Sequence, residues 1–369
     1  MKYLFILGRN LELSKREVLS YFEKEGNPVL SHDLVKNGLL INLEREFDVT
    51  EIKNLGGVLS IGEVLVSGEG IEKKLEDVMV YAGTNNKLNY VLWNFSENYE
   101  VMQNYLKGRF KSEKLKATQK HLTDSIKMQG GGEEFIPSSK LLDEEYFIFG
   151  GDVDYFGKIV SSCDYESIEK RDMEKPVRRE SLAISPRLSK AMINLAGLKE
   201  GDKMLDSFCG IGVILEEALL QGISVVGVDR DREAIEGAQK NLEWFGFSKK
   251  DYQLNNSDSR DVNLPLVSAM VSEPHLGDIL KKIPTKEKAE KTLKEFEKLI
   301  VQVINNVKRQ VSGRIVFTSP HIRIGKKRLA CDIENICSRT GYSLVEEGIP
   351  EYRERQVVGR MIYILQKVL

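Results

Sequence analysis

Between residues 203 and 318, short apolar runs alternate with long stretches of helical periodicity, and this alternation constrains the fold more than any other feature of the chain. Strands fit Lys203 to Ser207, Ser224 to Val228, Ala269 to Ser272 and Gly313 to Thr318. Helices fit Leu188 to Ala196, Gly212 to Leu220, Glu233 to Trp244 and Thr285 to Arg309, the last with a core-facing apolar stripe through Phe296, Leu299, Ile300, Val303 and Ile304. Strands that are apolar throughout must be covered on both faces, and helices between them supply the cover, so a parallel α/β sheet is expected. Ser343 to Val345 and Gly359 to Gln366 fit a closing antiparallel pair.

At 369 residues the chain exceeds what one core usually supports. Upstream of the α/β part, Tyr3 to Gly8 fits a strand, Leu11 to Glu23 a helix, and Val35 to Leu43 and Val58 to Val66 further strands, which together make a small α+β module over residues 1–60. A second α+β module spans 61–161: a helix over Glu72 to Ala82, a strand over Lys87 to Phe95, a basic helix over Tyr99 to Lys114, a glycine break at 130–132, and strands over Tyr146 to Gly151 and Gly157 to Ser161. Residues 162–183 are charged and carry Pro176, as expected of a surface linker, and 184–369 form the α/β domain.

The chemistry concentrates in a few short segments. Asp206-Ser-Phe-Cys-Gly-Ile-Gly212 follows one strand and opens a helix, so Gly210 and Gly212 let the backbone turn tightly against a ligand, with Phe208 beside them. Asp229 ends the next strand, where a carboxylate can accept hydrogen bonds from ribose hydroxyls, and Asp258 is placed to meet an adenine amino group. A dinucleotide fingerprint would need a third glycine where Leu215 stands, and Asp206 suits a cation better than a pyrophosphate. Cys163, Cys209, Cys331 and Cys337 form no CxxC pair, and no cysteine or histidine has zinc-ligand spacing, so no metal is expected.

A net charge of −2 leaves room for local basic faces. Lys107, Arg109, Lys111, Lys114 and Lys116 lie among Tyr105 and Phe110, and Arg178, Arg179 and Arg187 gather near the linker; both groups fit phosphate contacts as well as solvated surfaces. Neither a long apolar segment nor a leader-like start is present, which points to a cytoplasmic protein without a membrane span.

These segments resemble the archaeal family of tRNA guanosine-10 N2-methyltransferases. The resemblance rests on Tyr3-Leu-Phe-Ile-Leu-Gly-Arg-Asn10, Glu169-Lys-Arg-Asp172 with Pro176, Ser185-Pro-Arg-Leu188 with Met192-Ile-Asn-Leu-Ala-Gly197, Asp206 to Gly212, and Gly227-Val-Asp229 with Asn241. It implies a Rossmann-like class I methyltransferase domain of seven strands, preceded by ferredoxin-like and THUMP modules. It also implies S-adenosylmethionine as cofactor and tRNA as partner, with room for a small accessory protein subunit. Asp206, Phe208, Gly210, Gly212, Asp229 and Asp258 would hold the cofactor. After the fourth strand the family reads Asp-Pro-Pro-Tyr-Gly, and this chain reads Glu273-Pro-His-Leu-Gly277. Glu273 and Pro274 would then fix the hydrogens of the acceptor amine, a poor nucleophile that gains most from positioning, while His275 and Leu276 replace the second proline and the stacking ring. The departure keeps two other readings open: a tRNA-binding protein impaired in catalysis, and an amino-methyltransferase of another nucleic acid or of protein.

Overall fold

A computed structural model of the chain describes residues 1–368 other than 130, 138–141, 180–183, 278, 279 and 281. Gly130 of the expected glycine break and residues 180–183 of the expected linker lie outside the described residues. The chain divides into two units, Met1–Lys15 with Gly26–Lys53 and Gly57–Cys163, and Arg16–Glu25 with Asn54–Gly56 and Asp164–Leu369.

The first unit runs β1 (Lys2–Leu7), α1 (Leu11–Lys24, counted with the second unit from Arg16), β2 (Val29–Val35), β3 (Gly38–Leu43), β4 (Val58–Ser67), α2 (Ile71–Leu75), β5 (Lys87–Phe95) and α3 (Tyr99–Ser112). It continues with β6 (Lys116–Gln119), β7 (Asp124–Lys127), β8 (Glu133–Ile136), β9 (Glu144–Gly150) and β10 (Asp154–Ser162). Eight strands make one sheet in the order β2-β3-β1-β4-β10-β9-β5-β6, and β7 and β8 form a separate hairpin. Strand β1 is central, flanked by β3 and β4, and its unbroken apolar run is buried on both faces of the sheet. Strand β4 joins β1 to β10, so the boundary expected after residue 60 falls inside it.

The helix expected over Glu72 to Ala82 stops at Leu75. Beyond it the chain tightens into a turn, with the Val78 N–H on the Leu75 carbonyl, and the guanidinium of Arg109 on α3 caps that turn by donating to the carbonyls of Leu75 and Val78.

The second unit runs α4 (Tyr165–Glu174), α5 (Pro186–Leu195), β11 (Lys203–Asp206), α6 (Val213–Leu219), β12 (Ser224–Asp229), α7 (Arg232–Trp244), β13 (Tyr252–Asn256), β14 (Ala269–Ser272) and α8 (Lys286–Val307). Then come β15 (Ile315–Ile324), β16 (Lys327–Leu329), α9 (Ile333–Thr340), β17 (Tyr342–Leu344), β18 (Ile349–Glu351) and β19 (Val358–Lys367). The main sheet has the expected seven strands, β13-β12-β11-β14-β15-β19-β17, and short β16 and β18 extend it to nine. Strands β11 to β15 are mutually parallel and β19 is antiparallel to both its neighbours. Caps fix the helix starts: Ser185 with Pro186 begins α5, Asp231 begins α7 and Thr285 begins α8. Along α8, Phe296, Ile300, Val303 and Ile304 pack on Leu205, Met270 and Phe317 of the sheet. The first half of the expected linker is helix α4, capped by Asp164. No helix among the described residues is long and apolar enough to cross a membrane.

The strand order positions the site. From β11 the chain winds outward through β12 and β13, then returns to start β14 on the other side of β11. The crevice left at the carboxyl ends of β11 and β14 is where sheets of this kind bind ligands.

Candidate active site

Strands β11 and β12 end on Asp206 and Asp229, and Glu273 follows the last residue of β14. A cavity of about 490 Å³ opens between these ends, a size suited to a small organic ligand, and Asp206, Phe208, Gly210, Asp229, Asp258 and Glu273 all line it. Gly210 (φ 52°) and Gly212 (φ 95°) both adopt left-handed backbone conformations, Gly212 as the residue that starts α6. A Cβ on Gly210 would meet nothing within 4 Å, so conformation and access to the cavity, not crowding, call for glycine there. The loop is tied to the next strand end, since Asp229 Oδ2 accepts the Gly210 N–H at 2.9 Å and its Oδ1 accepts the Asp231 N–H at 2.9 Å.

Asp206 is 1% exposed. One oxygen accepts the Phe208 N–H at 3.0 Å, the Ser272 hydroxyl hydrogen-bonds to the carboxyl, and Oδ2 is sealed from solvent. Burial pushes this carboxyl up to about 7, and Asp229 and Glu273 add repulsion. A buried acid that lines a cavity fits a cationic ligand, which would favour its ionised form. Asp258 differs: Arg260 donates to it at 2.9 and 2.5 Å and holds it down to about 2. Burial pushes the neighbouring Cys209 thiol well up, which removes it as a nucleophile.

At the other end of the cavity, Glu273 is gripped by Arg360 of β19, with Nε at 2.7 Å from Oε2 and Nη2 at 2.8 Å from Oε1. Thr318 Oγ1 approaches Oε2 at 3.4 Å. Pro274 is buried, His275 is exposed with Nδ1 accepting the Gly277 N–H at 3.3 Å, and Leu276 packs on the core where the resembled motif carries a ring.

The basic candidates separate by what they already hold. Lys107, Lys111, Lys114 and Lys116 are exposed. Arg109, grouped with them in the sequence, is a structural residue: its guanidinium binds Glu113 at 2.8 Å as well as the carbonyls that end α2. Arg179 pairs with Asp231 at 2.8 Å and lines the cavity, Arg178 is half-buried, and Arg187 donates to the Gly56 carbonyl at 2.6 Å with its guanidinium over the Tyr165 ring. His321 is half-buried on β15, pushed down to about 4 by burial and then by Arg328, and packs edge-on against Tyr352.

Other residues support the loop from behind. Asn241 of α7 is fully buried; its amide nitrogen donates to the carbonyls of Val177 and Ile211, each at 3.0 Å, and its oxygen accepts the Val177 N–H at 2.9 Å. It therefore clamps the segment after α4 onto the glycine loop. On α6, Glu216 pairs with Lys175 at 3.2 Å and Glu217 with Arg171 at 2.9 Å, both inside the unit. The sequence segments 169–176 and 227–241 contain Arg171, Lys175 and Asn241, but periodicity alone assigns them no partner. Arg360, and the α8 residues Thr292 and Leu299 that line the cavity, carried no sequence signal of a site at all.

The chain is similar to known methyltransferases. A model of the RMKL-like methyltransferase domain matches residues 176–323, and a model described as DNA methylase matches residues 47–240, just over half of the chain. A tRNA (guanine(10)-N2)-dimethyltransferase of Methanothermobacter thermautotrophicus is 43% identical over 140 residues, 38% of this chain and 39% of that protein. The chain thus spans about two fifths of the length of that relative. A protein of the same name from Pyrococcus abyssi is 26% identical over 268 residues, 71% of this chain and 73% of that one. The crystal structure of TrmN from Thermus thermophilus superposes with a TM-score of 0.52 at 15% identity, covering 100% of both chains, which is a likeness of fold.

Proposed function

We infer the activity from membership: the chain belongs to the methyltransferase family that the DNA methylase and RMKL-like models describe, and its second unit is a Rossmann-like class I methyltransferase domain. We propose that it methylates the exocyclic N2 amine of a guanosine in tRNA, at position 10, using S-adenosylmethionine. The observation that carries this reading is the cavity at the strand-order switch, which Asp206, Asp229, Asp258 and Glu273 all line. The names of the archaeal relatives support tRNA as substrate and guanine N2 as acceptor.

S-adenosylmethionine, when bound, supplies an electrophilic methyl on a sulfonium sulfur. Asp206 would take its cationic end, Asp229 the ribose hydroxyls, and Asp258 the adenine amino group, with Gly210 and Gly212 leaving the loop backbone open and Phe208 beside it. Glu273 and the carbonyl of Pro274 would accept the two hydrogens of the guanine amine and so aim its lone pair, and exposed His275 would lie against the flipped base. We assign tRNA backbone contacts to Lys107, Lys111, Lys114 and Lys116 in the first unit, read as ferredoxin-like and THUMP modules, and to Arg178 and Arg179 beside the cavity.

The test is transfer of labelled methyl from S-adenosylmethionine to unmodified total tRNA, followed by nucleoside analysis, for the wild type and Glu273→Ala. Methylguanosine that disappears in the variant is the expected result. Tight tRNA binding without methylation overturns the catalytic reading, and preferential labelling of duplex DNA overturns the substrate.

A further inference from the structure

Glu273 is one methylene longer than the acid of the motif it resembles. A free glutamate has three side-chain torsions, and an acceptor that must hold an amine in line with a methyl group cannot wander among them. In this fold it does not. Arg360 reaches Glu273 from a strand 87 residues further on and binds both carboxylate oxygens, Nε to Oε2 at 2.7 Å and Nη2 to Oε1 at 2.8 Å. Two parallel bonds from a planar fork fix the plane of the carboxylate as well as its distance, which a lysine cannot do. The fork itself stands on firm ground: Arg360 lies in β19, opposite Pro320 of β15 on one side and Glu351 of β18 on the other. The two side chains are 20% and 10% exposed, so water competes little for the pair. Oε2 accepts from both Arg360 and Thr318, whereas Oε1 accepts from Arg360 alone and keeps a lone pair, and Glu273 lines the cavity.

We propose that Arg360 is a positioning residue for Glu273, holding the longer acid so that the remaining lone pair of Oε1 meets the acceptor amine, and that the Glu273–Arg360 pair replaces the shorter acid of the resembled motif. This inference rests on the amine-methylating reading above and deepens it. Its test uses the full chain, unmodified tRNA and S-adenosylmethionine, with Arg360→Lys, Arg360→Met, Glu273→Asp and the double variant Glu273→Asp/Arg360→Met. A misplacement of about an ångström costs on the order of a hundredfold in rate. Arg360→Met is therefore expected to lower kcat by about ten- to a hundredfold, with the KM for tRNA and the Kd for S-adenosylmethionine within about threefold of wild type. Arg360→Lys, which keeps the charge but loses the fork, falls between. Glu273→Asp is also slow, because the shorter acid no longer spans fork and amine, and the double variant is no slower than the slower single one because both act at one carboxylate.

An unchanged kcat in Arg360→Met, losses that multiply in the double variant, or a loss confined to KM and cofactor binding overturns the proposal. Should Arg360→Met fail to fold, Arg360→Lys decides alone: a lowered kcat with intact cofactor affinity supports the proposal and an unchanged kcat overturns it. A wild-type chain that transfers no methyl overturns the functional reading and this inference with it, whereas an active wild type indifferent to Arg360 overturns the inference only.

Discussion

At the scale of single residues, Asp206 sets a conflict between stability and binding. Its carboxyl ionises near the ordinary 3.8 when the chain is unfolded and near 7 when it is folded, because the folded site buries it. Between those values the unfolded chain has already lost the proton that the folded chain still holds, so raising the pH across this window favours unfolding, by on the order of 4 kcal/mol in total. Thermal melts of the free protein should show stability declining from about pH 4 to about pH 7, and Asp206→Asn should flatten that decline and melt higher at pH 8. The same substitution should weaken S-adenosylmethionine binding by about tenfold or more, and the wild-type Kd should rise about tenfold per pH unit below 7, where the acid is protonated, as calorimetry would register. A variant that gains stability without losing affinity would remove Asp206 from the cofactor's partners. The acids of this site were legible in the sequence because each ends or follows a strand, a position that strand periodicity locates. Arg360 was not, since an arginine 87 residues from its partner inside an amphipathic strand has no local mark of its role.

At the scale of elements, the α/β half was readable from periodicity because its strands are buried on both faces, whereas the misreadings fall on elements that bury little. Helix α4 has no buried residue and so no apolar stripe, which is why a charged linker was expected there. The β7–β8 hairpin is short and mostly exposed. Helix α2 gives way to a turn whose carbonyls a side chain of α3 caps, a tertiary contact that propensity cannot foresee. Though α4 buries nothing itself, the turn after it delivers Lys175 to Glu216 of α6, where both side chains are 2% exposed. Removing one member of a buried pair strands the other, so Lys175→Met should destabilise the protein by about 3 kcal/mol in urea denaturation. Lys175→Met/Glu216→Leu should recover most of that loss. A near-neutral single variant would mean that Glu216, whose carboxyl burial pushes up to about 7, takes up a proton and leaves no stranded charge.

At the scale of the whole molecule, a net charge of −2 means that the proposed tRNA binding would depend on a few placed cations and not on bulk attraction. Replacing Lys107, Lys111, Lys114 and Lys116 with alanine should weaken tRNA binding and flatten its salt dependence, by about 0.7 to 0.9 in log–log slope for each phosphate no longer neutralised. Arg109→Ala should instead lower the melting temperature, because its guanidinium serves the carbonyls that end α2. A quadruple variant with the wild-type salt slope would move the RNA surface elsewhere. The amide of Asn241 has a consequence at this scale too. One buried side chain holds Val177, two residues before Arg179, and Ile211, between the two glycines of the loop. Any ligand that shifts one of these segments does work on the other, and by thermodynamic reciprocity the debt runs both ways: tRNA should raise the affinity for S-adenosylmethionine by the same factor that S-adenosylmethionine raises the affinity for tRNA. In Asn241→Ala the two affinities should become independent, so that the enzyme forgets, at one site, what is bound at the other.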